Sequence, residues 1–226
     1  MPTESPAATP AFALATGLPD VEPVRAVRLA EPFDDPEWVF EPKYEGFRGM
    51  VYSWAGSCEI RLARGIPSLE KRGLWERVAE VLDRRDAILD GQIVSLNRQG
   101  KPVLQDLIRG AGYLAFAAFD LLWLDGMDLR GRPLRERKLL LADLLPEDTG
   151  PLYKVLTIEE HGRALFGAIK KMELGGILAK AKSDAYHPNT VWYQIRNELA
   201  ASDSEGPDRR RLAPQRIDGN SKTHLP

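Results

Sequence analysis

The chain has little sulfur and little imidazole: one cysteine, Cys58, and three histidines, His161, His187 and His224. A single thiol excludes an internal disulfide framework and suits a reducing cytosol. Four such residues scattered along the chain do not make the ligand cluster that structural zinc requires. An excess of one charge is also lacking. A formal net charge of −2 gives no global basic signature, so any nucleic-acid contact needs a local basic patch. Long apolar runs are missing too. The longest, Tyr113 to Leu124, is interrupted by Asp120 and falls short of the ~20 residues of a membrane span. No lysine or arginine precedes Arg25, which argues against a secretory signal. These absences lead to the expectation of a soluble, cytoplasmic protein without a membrane partner.

What is present is enough for a core. Of 226 residues, 43% are hydrophobic, which fits one large domain or two small ones. Residues 1–23 are rich in Pro, Ala and Thr without periodicity and are expected to be a flexible leader. Arg48 to Ala55 and Cys58 to Ala63 read as two strands joined by a hairpin turn at Gly56-Ser57. Leu74, Val78, Val81 and Leu82 fall on one helical face, with Ser68 as a candidate cap. Ala87 to Asn97 reads as a strand, and its internal Gly91 signals a bulge or a close backbone approach. Tyr113 to Leu124 reads as a buried strand, and Pro133 opens a charged helix over Leu134 to Leu145. Thr157 and Glu160 have the spacing of a capping box, ahead of a helix with Leu165, Ile169 and Met172 inward. Gly176 to Lys180 and Val191 to Arg196 complete the strands. Residues 198–226 carry no apolar pattern and are expected to be a disordered polar tail. Strands separated by turns or single helices predict an α+β domain with antiparallel sheets and helices packed outside.

One short stretch carries suggestive chemistry. Trp38 to Phe40 form an apolar strand, and Lys43 stands where it ends. Glu45, Gly46 and Arg48 follow. A lysine on rigid β-structure, beside a carboxylate and a second cation, is a candidate nucleophile; desolvation and neighbouring cations both favour the neutral amine that attacks. Gly46 lets a bulky substrate approach the backbone.

Lys43-Tyr44-Glu45-Gly46-Phe47-Arg48 resembles the nucleotidyltransferase motif Lys-x-Asp-Gly-x-Arg. Downstream, in order, come Arg64, Leu89 to Val94, Phe119 to Gly126, Pro133 to Arg137, Gly175 to Lys180, Tyr186-His187-Pro188 and Trp192 to Arg196. Together, from Val24 to Asn197, they look like the adenylation domain of bacterial ATP-dependent DNA ligases, the group that includes end-joining ligases. The resemblance implies a nucleotidyltransferase fold, ATP-grasp-like, of antiparallel sheets flanked by helices. It also implies ATP as cofactor, nicked double-stranded DNA as partner, and work in DNA repair and recombination. In the implied reaction a lysine amine attacks the α-phosphate of ATP, lysyl-AMP forms, AMP passes to a 5′-phosphate at a nick, and the 3′-hydroxyl displaces it. Such chemistry is mostly positioning and charge stabilisation around phosphorus. Carried over, Lys43 is the nucleophile and Glu41 contacts the adenine edge. Arg48 and Arg64 hold ribose or phosphate, Phe119 stacks on adenine, and Lys180 balances the α-phosphate and acts on Lys43.

Several positions depart from the family pattern. Glu45 is one methylene longer than the family's Asp, and a misplacement of about 1 Å can cost on the order of a hundredfold in rate. Gln92 stands where the family has Glu; it can meet a ribose hydroxyl but is a poor ligand for Mg²⁺ or Mn²⁺. Gly175 replaces a second Glu, and strand alternation offers Glu173 as a partial substitute. With both carboxylates absent, no metal ligand is assigned. Gln194 and Arg196 take the places of two lysines, and Arg196 keeps the charge. The oligonucleotide-binding (OB) barrel that usually follows such a domain finds no pattern after Asn197, so a separate OB-containing chain or repair proteins are the expected partners. Reduced activity follows, with a catalytically inactive nucleotide- or DNA-binding scaffold as the alternative.

Overall fold

The structure is a computed structural model, and it describes residues 17–62, 73–146 and 150–198. Arg64, Ser68 and the expected polar tail beyond residue 198, where the barrel expectation also falls, lie outside the described residues.

Two sheets form the body. The first runs in the order β1 (Ala26–Arg28), β11 (Trp192–Arg196), β10 (Gly176–Ala181), β2 (Asp35–Pro42), β9 (Ile158–Glu160). The second runs β4 (Ser57–Leu62), β3 (Phe47–Trp54), β5 (Ala87–Leu96), β6 (Tyr113–Leu124), β7 (Met127–Asp128), with β8 (Leu152–Lys154) also paired to β6. The sheets are antiparallel, as expected, except where β1 meets β11 and β6 meets β8. The helices are α1 (Leu74–Leu82), α2 (Leu104–Arg109), α3 (Leu134–Leu144) and α4 (Gly162–Lys171). Among the described residues no helix is long and apolar enough to cross a membrane.

Three apolar clusters explain this arrangement. One face of the second sheet packs under α1, with Leu74, Val78 and Leu82, and under α3, with Leu141. The outer face of the first sheet packs on α4 through Leu165 and Ile169. Between the sheets lie Met50, Tyr52, Ile88, Ala117, Phe119, Leu122, Tyr186 and Trp192. Leu18, Val21 and Val24 join this third cluster. The leader's expected boundary near residue 23 is therefore corrected: burial of Leu18 and Val21 ties the chain down before Val24.

Four local expectations change. The β3–β4 hairpin turns at Ala55-Gly56 rather than Gly56-Ser57, because Trp54 pairs with Ser57 and both loop residues take positive φ, the backbone of a twisted two-residue turn. Val81 is exposed, since the i, i+4, i+8 line of Leu74, Val78 and Leu82 already faces the core. Thr157 to Glu160 do not cap α4; Ile158 to Glu160 pair with β2, and α4 starts at Gly162 after His161. Met172 follows that helix and is exposed. Gly91 behaves as the sequence predicts: the β5–β6 register shifts between Asp90 and Gly91, and a Cβ on Gly91 would lie 2.3 Å from the Phe116 ring.

Candidate active site

β2 ends at Pro42, so Lys43 emerges at a strand end with its amide N–H donating to the Gly176 carbonyl, 2.9 Å away. The chain then turns into β3. A Cβ on Gly46 would lie 2.1 Å from the Ile93 carbonyl oxygen and 3.1 Å from Gln92 Cγ. The close approach at Gly46 is thus to β5, which corrects the expectation of room for a substrate. Lys43, Glu45, Gln92 and Gly175 are drawn together by this turn. Lys43 Nζ donates to Glu45 Oε1 at 3.0 Å, and both side chains are partly exposed. Arg48 pairs across the sheet with Gln92. Arg196 pairs with Gly176, which puts it at the same end of the first sheet as Lys43, one strand beyond β10.

The other predicted residues are deeper, and their charges are already matched. Arg48 Nε donates to Asp90 Oδ1 at 3.0 Å, its Nη2 donates to Oδ2, and its Nη1 donates to the Val24 carbonyl. Tyr186 donates its hydroxyl to Asp90 Oδ2 at 2.6 Å, and its oxygen accepts from the Val24 amide. Asp90 is fully buried, so a buried carboxylate with three donors explains itself. Burial alone would depress the Arg48 guanidinium, but Asp90 outweighs it and raises it above its ordinary value.

Glu41 is fully buried and faces two lysines. Lys180 Nζ lies 2.7 Å from Glu41 Oε2, and Lys138 of α3 donates to Oε1. Burial pushes the Glu41 carboxyl up, yet Lys138 and Lys180 together hold it below its ordinary value. Burial pushes the Lys180 ammonium down to about 8, and Glu41 only partly offsets this. The same ammonium sits over two aromatic faces, 4.1 Å from the Phe119 centroid and 4.1 Å from that of Trp192. Trp192 meets Phe119 edge-on at 5.7 Å and 85°. Phe119 is a buried ring whose face carries a cation, and Trp192 packs edge-on against it.

Lys180 is paired with Val39, four residues along β2 from Lys43, and its ammonium is turned to Glu41. One expected relationship does not form. Glu173 lies before β10 with positive φ and a largely exposed side chain, and its nearest charge is Lys101 at 3.8 Å. It does not take the place of a carboxylate at position 175, because the turn ahead of β10 breaks the alternation.

The donor set fits a nucleotide better than a metal ion. Among the described residues no group of three or more His, Cys, Asp or Glu is placed to hold a metal ion. Gln92 and Gly175, where the family resemblance places carboxylates, are neutral. For a nucleotide, Lys43 and Arg48 are partly exposed, and the buried Gln194 amide nitrogen has no hydrogen-bond partner among the described residues. Gln194 lies opposite Leu178, on the strand that carries Trp192 and Arg196. Sequence reasoning missed Lys138, which carries no signal beyond a charged helix. It also missed the roles of Asp90 and Tyr186. An acid inside an otherwise apolar strand is the available signal for Asp90, and also for Asp120, which Arg137 holds at 2.8 and 2.9 Å.

Residues 22–196 match the family described as the ATP dependent DNA ligase domain. The chain belongs to this ATP-dependent DNA ligase family. A multifunctional non-homologous end joining protein LigD of Pseudomonas aeruginosa is 29% identical over 216 residues, 88% of this chain and 26% of that protein. The solved structure of a mycobacterial DNA ligase D complexed with ATP and MES superposes with a TM-score of 0.68 at 26% identity, over 77% of this chain and 60% of that one. The ligase domain of Mycobacterium tuberculosis LigD gives 0.66 at 27% identity, over 77% and 58%. The chain thus spans about a quarter of the length of the Pseudomonas protein. The α+β nucleotidyltransferase fold is that of the ligase domains it matches.

Proposed function

We propose that this ligase-family domain forms lysyl-AMP at Lys43 and passes AMP to the 5′-phosphate of nicked double-stranded DNA, at a reduced rate. In the first step the neutral Lys43 amine attacks the α-phosphorus. An N–P bond forms, the P–O bond to pyrophosphate breaks, and the amine gives up a proton. Glu45, which accepts from Lys43 Nζ at 3.0 Å, is the group placed to take that proton. Arg48 and Gln92, facing each other across β3 and β5, are placed to meet ribose or phosphate. Gln194 and Arg196 add an amide and a cation from β11. The observation that carries the reading is Lys43 at a strand end, paired with a carboxylate and clamped to β10.

The rate is reduced because the positions that would answer for a divalent ion are Gln92 and Gly175, and because Glu41 is already held by Lys138 and Lys180. That last observation favours a second reading, a nucleotide- or DNA-binding homologue without catalysis that serves repair proteins as a scaffold. Cytoplasmic DNA repair and recombination, with an OB barrel or repair protein as partner, fit either reading.

Incubation with α-labelled ATP in Mg²⁺ or Mn²⁺, followed by denaturation, separates the two. Weak labelling that disappears in Lys43→Ala is the expected result. No labelling above Lys43→Ala, with ATP or nicked duplex still bound, selects the scaffold.

A further inference from the structure

Gly175 is a glycine for want of space rather than for backbone conformation. Its φ is not positive, unlike that of Gly176, which sits at +136°. A Cβ on Gly175 would lie 2.2 Å from Glu45 Oε1, closer than any side chain tolerates. The same Oε1 accepts from Lys43 Nζ. The backbone here has little freedom to retreat. The Gly175 carbonyl accepts from the Asn197 amide at 3.1 Å, the Leu174 carbonyl accepts from Asn197 Nδ2 at 3.1 Å, and the next carbonyl, Gly176, holds the Lys43 amide. Any side chain at 175 therefore makes Glu45 Oε1, the far end of a flexible side chain, shift, and that oxygen is the one that meets Lys43.

We propose that Gly175 is a positioning residue: its missing side chain is the socket that seats the Glu45 carboxylate against the Lys43 amine. The longer acid at 45 and the absent side chain at 175 are then one linked arrangement, in which a single carboxylate reaches across from β3's approach to the start of β10. The proposal deepens the assignment of Lys43 as nucleophile, but its packing part does not depend on that assignment.

The test uses the full chain without ATP. Lys43 is acylated with a limiting amount of an N-hydroxysuccinimide ester, and modification of its peptide is followed by mass spectrometry. An amine held by a carboxylate reacts more slowly than a released one. Gly175→Ala is expected to speed Lys43 labelling by roughly two- to fivefold, the factor a partly exposed ion pair is worth. Glu45→Ala should do the same, and Gly175→Ala added to Glu45→Ala should change nothing further. If Gly175→Ala fails to fold, the socket predicts that Glu45→Ala restores folding in the double variant, seen by circular dichroism. Equal effects of Gly175→Ala in both backgrounds, no effect in either, or a double variant that stays unfolded would each overturn the proposal. Because the reagent needs no nucleotide, a protein that never forms lysyl-AMP still gives a decisive answer.

Discussion

Lys180 and Glu41 form a fully buried ion pair, 2.7 Å apart, with the lysine roofed by Phe119 and Trp192. A buried pair gains stability from mutual attraction and loses it to desolvation, and here Lys138 supplies a second cation to the same carboxylate. The Glu41 carboxylate and the Phe119 ring face thus both carry cations from within the chain.

The pair should leave a signature in stability against pH. Lys180 is depressed from 10.5 to about 8 in the folded chain. Between these values the unfolded chain binds more protons, so unfolding free energy should rise with pH across that window. Glu41 is held below its ordinary 4.5, so its contribution is present above that value and is lost as pH falls through the lower folded one. Urea unfolding at several pH values checks this. The alkaline rise should be present in wild type and absent in Lys180→Met.

Arg137 and Asp120 form a second buried pair, and Arg137 also donates to the Asp184 carbonyl at 2.9 Å. Arg137→Ala leaves an unpaired buried carboxylate, which typically costs about 3–5 kcal/mol. Equilibrium urea denaturation should show a loss of that size with an unchanged m-value. A loss under about 1 kcal/mol, the worth of an exposed pair, would show that Asp120 is reached by water.

Gln92→Glu should raise the rate of Lys43 labelling by α-labelled ATP, because it returns a carboxylate beside Arg48 and Gly46. Gly175→Glu should not help on its own, since its side chain meets the Glu45 carboxylate. Combined with Glu45→Asp, which draws that carboxylate back by one methylene, Gly175→Glu should become tolerated and active. Initial labelling rates of the three variants against wild type decide the order.

Gly91→Ala tests the packing beneath the site. Its methyl would meet Phe116 and the Ala117 carbonyl, and overpacking of this kind costs typically 1–3 kcal/mol. Thermal unfolding should shift down while circular dichroism of the folded chain is unchanged.

Much of this was legible in the sequence, for physical reasons. Tyr113 to Leu124 is a strand over the expected residues, an apolar run buried between neighbouring strands and the core on both faces. Lys43 falls just past Pro42, the last residue of β2. What the sequence hid is long-range. β8 is three residues long and α2 six, too short to show a period. Nothing local says that Lys138 reaches Glu41 from α3, or that Lys180 turns to Glu41. The register of β10 against β2 decides the second, and the docking of α3 decides the first; both are properties of two elements rather than one. Position 175 on its own signals only a missing carboxylate; its closeness to Glu45 is visible only in the fold.

The most direct measurement is the location and yield of an AMP adduct on the wild-type chain after incubation with ATP and Mg²⁺, read by peptide mass spectrometry. AMP on Lys43 at low yield, rising in Gln92→Glu, is the predicted result. Near-complete modification of Lys43 in wild type, or AMP on Lys180 instead, would contradict the account.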